Sequence, residues 1–210
     1  MKKSTSKLKP VWNKGRVVGP ASAFTPSDVV RVRRLLGGRG PAGHRDLALF
    51  NLAIDTMISV TEVLQLTVGD VKLRNGAIKS VLEIRRSRGK THLCGLSTET
   101  ASALKQWLAS SGLRGSESLF PGRGEPKHSL TSRQVNRLVK EWTADAGLDP
   151  AKFGIESLRR AKAAHILNST GDLETVRVLL GHAKIESTAR FLQLSRKAVD
   201  PIAIARAHDF

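Results

Sequence analysis

Residues 155–194 read IESLRRAKAAHILNSTGDLETVRVLLGHAKIESTARFLQL, and their apolar residues return at the three-to-four-residue spacing of a helix face. This predicts three helices in succession, over 156–169, 173–180 and 186–194. Arg159 and Arg160 stand in the first of them, and Gly181-His182 leads into the last. A helical pattern also precedes them over 131–147, where Arg133, Arg137 and Lys140 fall at i, i+4 and i+7 on one face. Such a face suits phosphates or a groove, and it equally suits solvent. Further upstream, Ser97 or Thr98 caps a helix over TETASALKQWLASS, with Glu99 in its first turn and Gly112 at its end.

Between residues 71 and 96 the period drops to two. VKLRNGAIKS carries an Asn75-Gly76 turn, and SVLEIRR and THLCGL alternate on either side of Ser87, Arg88, Gly89 and Lys90. These runs predict a small three-stranded antiparallel sheet. Ahead of it, helices are expected from Pro26 and Ser27 to Gly37-Gly38, over residues 44–57, and through TEVLQLTV. The fold class is therefore α+β, mostly helical, with one small sheet.

Composition bounds the function. The chain has 210 residues, 40% hydrophobic and 25% charged, which fits a globular domain. No stretch nears the length of a spanning helix, and the N-terminus lacks a signal-peptide h-region, so a cytoplasmic protein with no membrane partner is expected. Cys94 is the only cysteine and has no Cys or His at metal-ligand spacing; neither a disulfide, a metal site nor a cofactor is expected. Lys and Arg number 35 against 18 acids, a formal +17. A charge of that size points to a polyanion. Residues 1–40 hold ten of the cations and a single acid, Asp28, and residues 1–23 lack apolar periodicity. They are read as a mobile basic arm with sequence-blind affinity for phosphates. Residues 24–195 form the expected domain, and 196–210 an amphipathic end segment.

Five patterns occur in an order and spacing that resemble the catalytic domain of the tyrosine recombinases, the phage-integrase family. Residues 56–64, TMISVTEVL, followed by Leu66 and Asp70, resemble the family's Thr-Gly-x-Arg-x-x-Glu-Leu segment. The 84–91 hairpin lies where the family carries a catalytic lysine. Leu119-Phe120-Pro121 is similar to its Leu-Phe-Pro loop, and Glu156-Ser157-Leu158-Arg159-Arg160 to its His-x-Leu-Arg-Arg box. Leu180-Gly181-His182, with Phe191 nine residues after the histidine, resembles the segment that ends in the nucleophilic tyrosine.

The resemblance implies a reaction in which a tyrosine oxygen attacks a DNA phosphodiester. Arginines and a histidine hold the phosphate oxygens, and a lysine protonates the leaving oxygen. The equivalent positions here are Ser59, Ser87, Glu156, Arg159, His182 and Phe191, and the chain contains no tyrosine. Phe191 has no oxygen to attack with. Ser59 removes a permanent cation, and the arginines beside Ser87 are poor proton donors. A carboxylate at Glu156 would oppose a phosphate by a few kcal/mol at ~4 Å. Arg159 and His182 match. Arg159 is left with two readings, a phosphate grip or an ion pair with Glu156, and His182 with two, a phosphate donor or a core residue.

The resemblance and the charge together imply a duplex-DNA partner. Contacts are expected from Arg86, Arg88 and Lys90 at the hairpin tip, from Arg133, Arg137 and Lys140, and from Arg159, Arg160, Lys162, His182 and Lys184. The expected function is a non-catalytic DNA-binding protein that regulates recombination, transcription, or the maintenance or transfer of a mobile element. It would act alone, by self-association or with an active recombinase, the region after Phe191 being where relatives dock onto a neighbour. Two other readings stay open: a divergent integrase with a relocated nucleophile, and a protein- or RNA-interaction module.

Overall fold

The computed structural model describes residues 21–85, 91–122 and 128–194. The expected basic arm up to residue 20, the hairpin tip Arg86, Ser87, Arg88 and Lys90, and the end segment from 196 lie outside them.

Helix α1 (Pro26–Gly38) begins at a capping box in which Thr25 and Asp28 satisfy each other's backbone N–H, with Pro26 in the first turn. α2 (Pro41–Thr56) is buried on nearly all sides and is the axis of the domain. It packs against α1, against α5 (Thr98–Ser111) and against α7 (Ile155–Thr170). α6 (Ser132–Asp145) closes the core, where the Trp142 and Phe24 rings each meet Phe50 edge-on at centroid separations of 5.9 and 5.7 Å. The Trp142 indole donates to Asp46 at 3.0 Å, so the one polar atom of this deeply buried ring is satisfied.

The chain then passes through α8 (Leu173–Leu180) and α9 (Ile185–Phe191). Gly171 and Gly181 end α7 and α8 in the left-handed region, at φ +68° and +70°, the conformation glycine adopts without strain. With Met57, these helices enclose a second apolar cluster of Met57, Ala163, Val176 and Leu180, against which Phe191 and Leu192 pack.

Two expectations are corrected. The sheet has two strands among the described residues, β1 (Val81–Arg85) and β2 (Thr91–Gly95), paired antiparallel with Glu83 opposite Leu93. The expected third strand is a single bridge between Lys72 and Ile78 around the Asn75-Gly76 turn. The physical reason lies just upstream. α4 (Val68–Val71) holds the chain helical through Val71, and the Lys72 N–H still donates to Val68, so the extended backbone that begins at Lys72 is too short before the turn to pair as a strand. TEVLQLTV likewise is not one helix. α3 (Val60–Leu64) ends at Gln65, and Thr67 starts α4 with its own capping box to Asp70. The Leu66 carbonyl is thereby left to accept from Leu119, which ties the Leu-Phe-Pro loop to this segment.

Candidate nucleic-acid interface around Phe191

Phe191 ends α9, and its half-buried ring is surrounded by the two residues that match the resemblance. The Arg159 guanidinium lies 5.1 Å from the ring centroid and that of Arg160 lies 4.8 Å away. The His182 ring meets it edge-on at 5.7 Å. Phe191 therefore makes contacts of the cation–π type with two cations. Arg159 and His182 thus both touch the Phe191 ring, and no such contact is seen from Ser59, which is bonded to Glu62.

The local sequence explains each placement. Arg159 and Arg160 are consecutive on α7, so their side chains leave the helix about 100° apart, and both guanidinium groups come within reach of the ring. Arg159 donates through Nε to the Met57 carbonyl at 2.6 Å and through Nη2 to the Leu180 carbonyl at 2.9 Å. These are chain ends that a helix leaves without internal partners, so Arg159 fastens the ends of α2 and α8 together. Glu156 is exposed in the first turn of α7, and its charge acts on Arg160.

Arg160 is 6% exposed. It donates through Nε to the Phe191 carbonyl at 2.7 Å and through Nη1 to the Ala21 carbonyl. Burial pulls its guanidinium below the ordinary value, and Glu156 partly restores it. Lys162 also turns inward: its ammonium bonds the Asp55 carbonyl at 2.9 Å and stands 3.5 Å from the Asp55 carboxylate. Lys140 donates to the Pro150 carbonyl. With Arg159 and His182, five of the expected DNA contacts thus have bonds inside the protein. Arg133, Arg137 and Lys184 are exposed, and Arg85 joins them at the end of β1.

Met57 stands two residues before the first arginine position. Its φ of +51° is left-handed, which is costly for a residue with a long side chain, and the side chain is buried in the second apolar cluster. At the position itself, Ser59 caps α3, receiving the Glu62 N–H at 3.2 Å, while Glu62 takes the Ser59 N–H at 2.7 Å. The serine hydroxyl also donates to Glu62, at 2.7 Å. The position that the resemblance gives to a cation is a helix cap here.

Sequence reasoning found no paired base for Thr188 as a substitute nucleophile and missed its place beside His182. Thr188 is fully buried, and its hydroxyl stands 3.0 Å from His182 Nδ1, orienting the imidazole whose ring meets Phe191. No spacing rule announces a hydroxyl six residues after a histidine. Asp55 was missed as well. It lies beneath the N-terminus of α5, accepting from the Ser97 N–H at 2.8 Å, the Ser97 hydroxyl at 2.7 Å and the Thr100 hydroxyl at 2.6 Å. Burial pulls this carboxyl up, but the Thr100 and Ser97 bonds and the Lys162 charge outweigh it and hold it below its ordinary value.

No helix among the described residues is long and apolar enough to cross a membrane. Among known proteins, the model of the phage integrase family matches residues 25–197. The tyrosine recombinase XerC of Chromobacterium violaceum is 32% identical over 158 residues, 75% of this chain and 50% of that protein. The tyrosine recombinase XerD of Xanthomonas axonopodis is 30% identical over 166 residues, 75% of this chain and 53% of that protein. The chain spans about half the length of the curated relatives it matches. Of the solved structures, XerA recombinase superposes with a TM-score of 0.68 at 19% identity, over 90% of this chain and 65% of that one. XerH site-specific recombinase, bound to its difH substrate before cleavage, superposes with a TM-score of 0.67 at 22% identity, over 86% of this chain and 53% of that one. With a family model covering most of its length and the fold of these recombinases, the chain belongs to the phage integrase family.

Proposed function

We propose that the protein binds duplex DNA on a tyrosine-recombinase fold without cleaving it, and regulates recombination, transcription, or the maintenance or transfer of a mobile element. One observation carries the proposal: at the position of the nucleophile stands a phenyl ring, and both arginines around it are bonded to backbone carbonyls. A cleavage site needs a nucleophilic oxygen in line with the phosphate and free donors on its non-bridging oxygens. This site has an oxygen-free ring where the attack would start. The +17 charge and the exposed Arg85, Arg133, Arg137 and Lys184 support affinity for the phosphate backbone. So does the XerH neighbour, whose structure holds its DNA substrate.

A nicked suicide duplex tests the reading. Salt-sensitive binding with no protein–DNA adduct is the expected result, and a covalent adduct on the wild-type chain overturns it.

The second reading, an enzyme with a relocated nucleophile, draws on the Thr188 hydroxyl beside His182 Nδ1 and on the recombinase names of the relatives. A hydroxyl–imidazole pair is the arrangement a nucleophile needs. The full burial of Thr188 sets it beyond the reach of a phosphodiester. An adduct that forms on the wild type and vanishes in Thr188→Val would establish this reading instead.

A further inference from the structure

A cleft of about 360 Å³ opens between the first turns of α1, the N-terminus of α5 and the middle of α7. Its floor is apolar and buried, made by Phe24, Ile54 and Ala161. One wall is Val29 and Val30, and Val30 is 53% exposed, so the wall stands open to solvent. A volume of about 300–1,000 Å³ and an apolar lining with a few converging polar groups are the marks of a small-molecule site. The cleft is separate from the surroundings of Phe191: none of Ser59, Glu156, Arg159, His182 and Phe191 lines it.

Its charged groups are of two kinds. Asp55 and Lys162 are spent on each other and on the chain, the carboxylate accepting from Ser97 and Thr100 while the ammonium bonds the Asp55 carbonyl. The positive end of α5 is thereby already matched by a carboxylate, so a free anion gains little from that helix end. Arg33 and Glu99 differ. Arg33 donates through Nε to the Asn51 side chain at 2.8 Å, and its Nη groups make no hydrogen bond among the described residues. Glu99, in the first turn of α5, accepts from the Thr98 hydroxyl at 3.1 Å. Its carboxyl is held below the ordinary value first by its own backbone N–H and the Thr98 hydroxyl, and in smaller part by the charge of Arg33. Arg33 and Glu99 also line an adjoining cleft of about 420 Å³ between α1, α2 and α5, so they stand where the two clefts meet.

We propose that this cleft binds a free α-amino acid with an apolar side chain. The side chain lies against Phe24, Val30 and Ala161, Arg33 donates to the carboxylate, and Glu99 accepts from the ammonium. Formal charge favours a zwitterion over an ion: the cations Arg33 and Lys162 face the carboxylates Asp55 and Glu99, with His165 at the rim. A phosphate or a lone carboxylate would meet a like charge in Glu99, and a lone amine would meet one in Arg33. A wholly apolar ligand would cover the valine wall but take water from both charges without pairing either. The inference is independent of the DNA-binding reading and is tested without DNA.

The probe is L-leucine, repeated with L-phenylalanine for a larger side chain. Isocaproate, which is leucine without its ammonium, and isoamylamine, which is leucine without its carboxylate, are the comparisons. Each is titrated into the full chain and followed by backbone amide chemical shifts. An amino acid is expected to give saturable shifts at Val29, Val30, Arg33 and Glu99 with a dissociation constant on the order of 1 mM, the scale open to so few heavy atoms. Isocaproate and isoamylamine are each expected to bind about tenfold or more weakly, since each leaves one charge unpaired. Arg33→Gln is expected to bind leucine and isoamylamine alike, and Glu99→Gln to bind leucine and isocaproate alike. Arg33→Lys keeps the cation and is expected to retain part of the preference for leucine.

Should Arg33→Gln fail to fold for want of its bond to Asn51, Glu99→Gln and Val30→Asp, both at exposed positions, carry the comparison. Val30→Asp is expected to abolish the saturable shifts. The proposal is overturned if neither amino acid gives a saturable shift at these residues by about 10 mM. Equal affinities for leucine, isocaproate and isoamylamine in the wild type also overturn it, since contact would then be apolar alone. So does an equal weakening of all three probes in Arg33→Gln and Glu99→Gln, which would make the two residues structural. Shifts at the cleft that grow with protein concentration in the absence of any probe would place a second copy there instead, and overturn it as well.

Discussion

Arg159 joins Met57 to Leu180 through its Nε and Nη2 while its guanidinium covers the face of Phe191. One side chain thereby connects the end of α2, the end of α8 and the last residue of α9. A cation that closes three chain ends in this way has part of its donor set committed to backbone carbonyls before any phosphate arrives. The same geometry accounts for an aromatic ring persisting at this position: the ring supplies the electron-rich face that two adjacent guanidinium groups, Arg159 and Arg160, both use.

Phe191→Ala is expected to destabilise the domain by about 2–3 kcal/mol, at or below the lower end of the range for a buried Phe→Ala because the ring is only half-buried. Phe191→Tyr keeps the face and is expected to cost less than about 1 kcal/mol. Urea denaturation measures both. On a nicked suicide duplex Phe191→Tyr is expected to give no phosphotyrosyl adduct, since Ser59 and Glu156 still stand where the reaction needs a cation and a neutral or cationic donor. An adduct in that variant would show that the remaining residues suffice for the chemistry.

Asp55 makes stability depend on acid. Its carboxyl titrates below the ordinary value in the folded protein, so the folded state binds fewer protons and gains stability above the unfolded value. That contribution is fully present at neutral pH and is lost as the pH falls below about 4 and through the folded value. Asp55→Asn is expected to cost about 2–4 kcal/mol at pH 7, because Lys162 is left without its counter-charge and the Ser97 and Thr100 donors lose a charged acceptor. The variant should also lose less stability than the wild type between pH 5 and pH 3. Thermal melts across that range decide it, and parallel curves for the two proteins would refute the assignment.

Much of this was legible in the sequence. The helices over 26–38, 131–147 and 173–180 were marked by caps and glycines that act locally, and α8 matches its expected bounds. The convergence at Phe191 was legible only through the resemblance, because nothing local tells residue 159 that it will meet residue 191. What stayed hidden were roles decided by tertiary geometry. A lysine at position 162 reads as surface charge until Asp55, 107 residues away, is placed beside it. Arg160 reads as a phosphate contact until its burial is known. The lost third strand is a competition between a capped turn of helix and a hairpin over the same residues, and the nearer bonds of α4 prevail.

Met57→Gly sets two effects against each other. Glycine would relieve a left-handed backbone worth roughly 1–2 kcal/mol. Removing a buried methionine costs about 2–5 kcal/mol when the site does not collapse. Because Met57 enters the second cluster between Ala163, Val176 and Leu180, the lost packing outweighs the relieved strain. A net loss of about 1–3 kcal/mol in urea denaturation is expected, and a gain would mean that the backbone strain exceeds the packing.

The division between outward and inward cations yields the last expectation. Arg133→Gln and Arg137→Gln remove exposed charges from one face of α6, and each is expected to flatten the salt dependence of duplex binding by about 0.9 with stability changed by less than about 0.5 kcal/mol. Lys162→Gln breaks the pair with Asp55 and is expected to do the opposite, lowering the melting temperature while leaving the salt slope in place. Fluorescence anisotropy over a salt series, together with thermal melts, separates the two classes. If Lys162→Gln flattens the slope and the α6 variants do not, the DNA runs along the Asp55 side of α7 rather than along α6. The two faces cannot substitute for each other in that comparison, because the Lys162 ammonium is already held against the Asp55 carboxylate while Arg133 and Arg137 stand exposed.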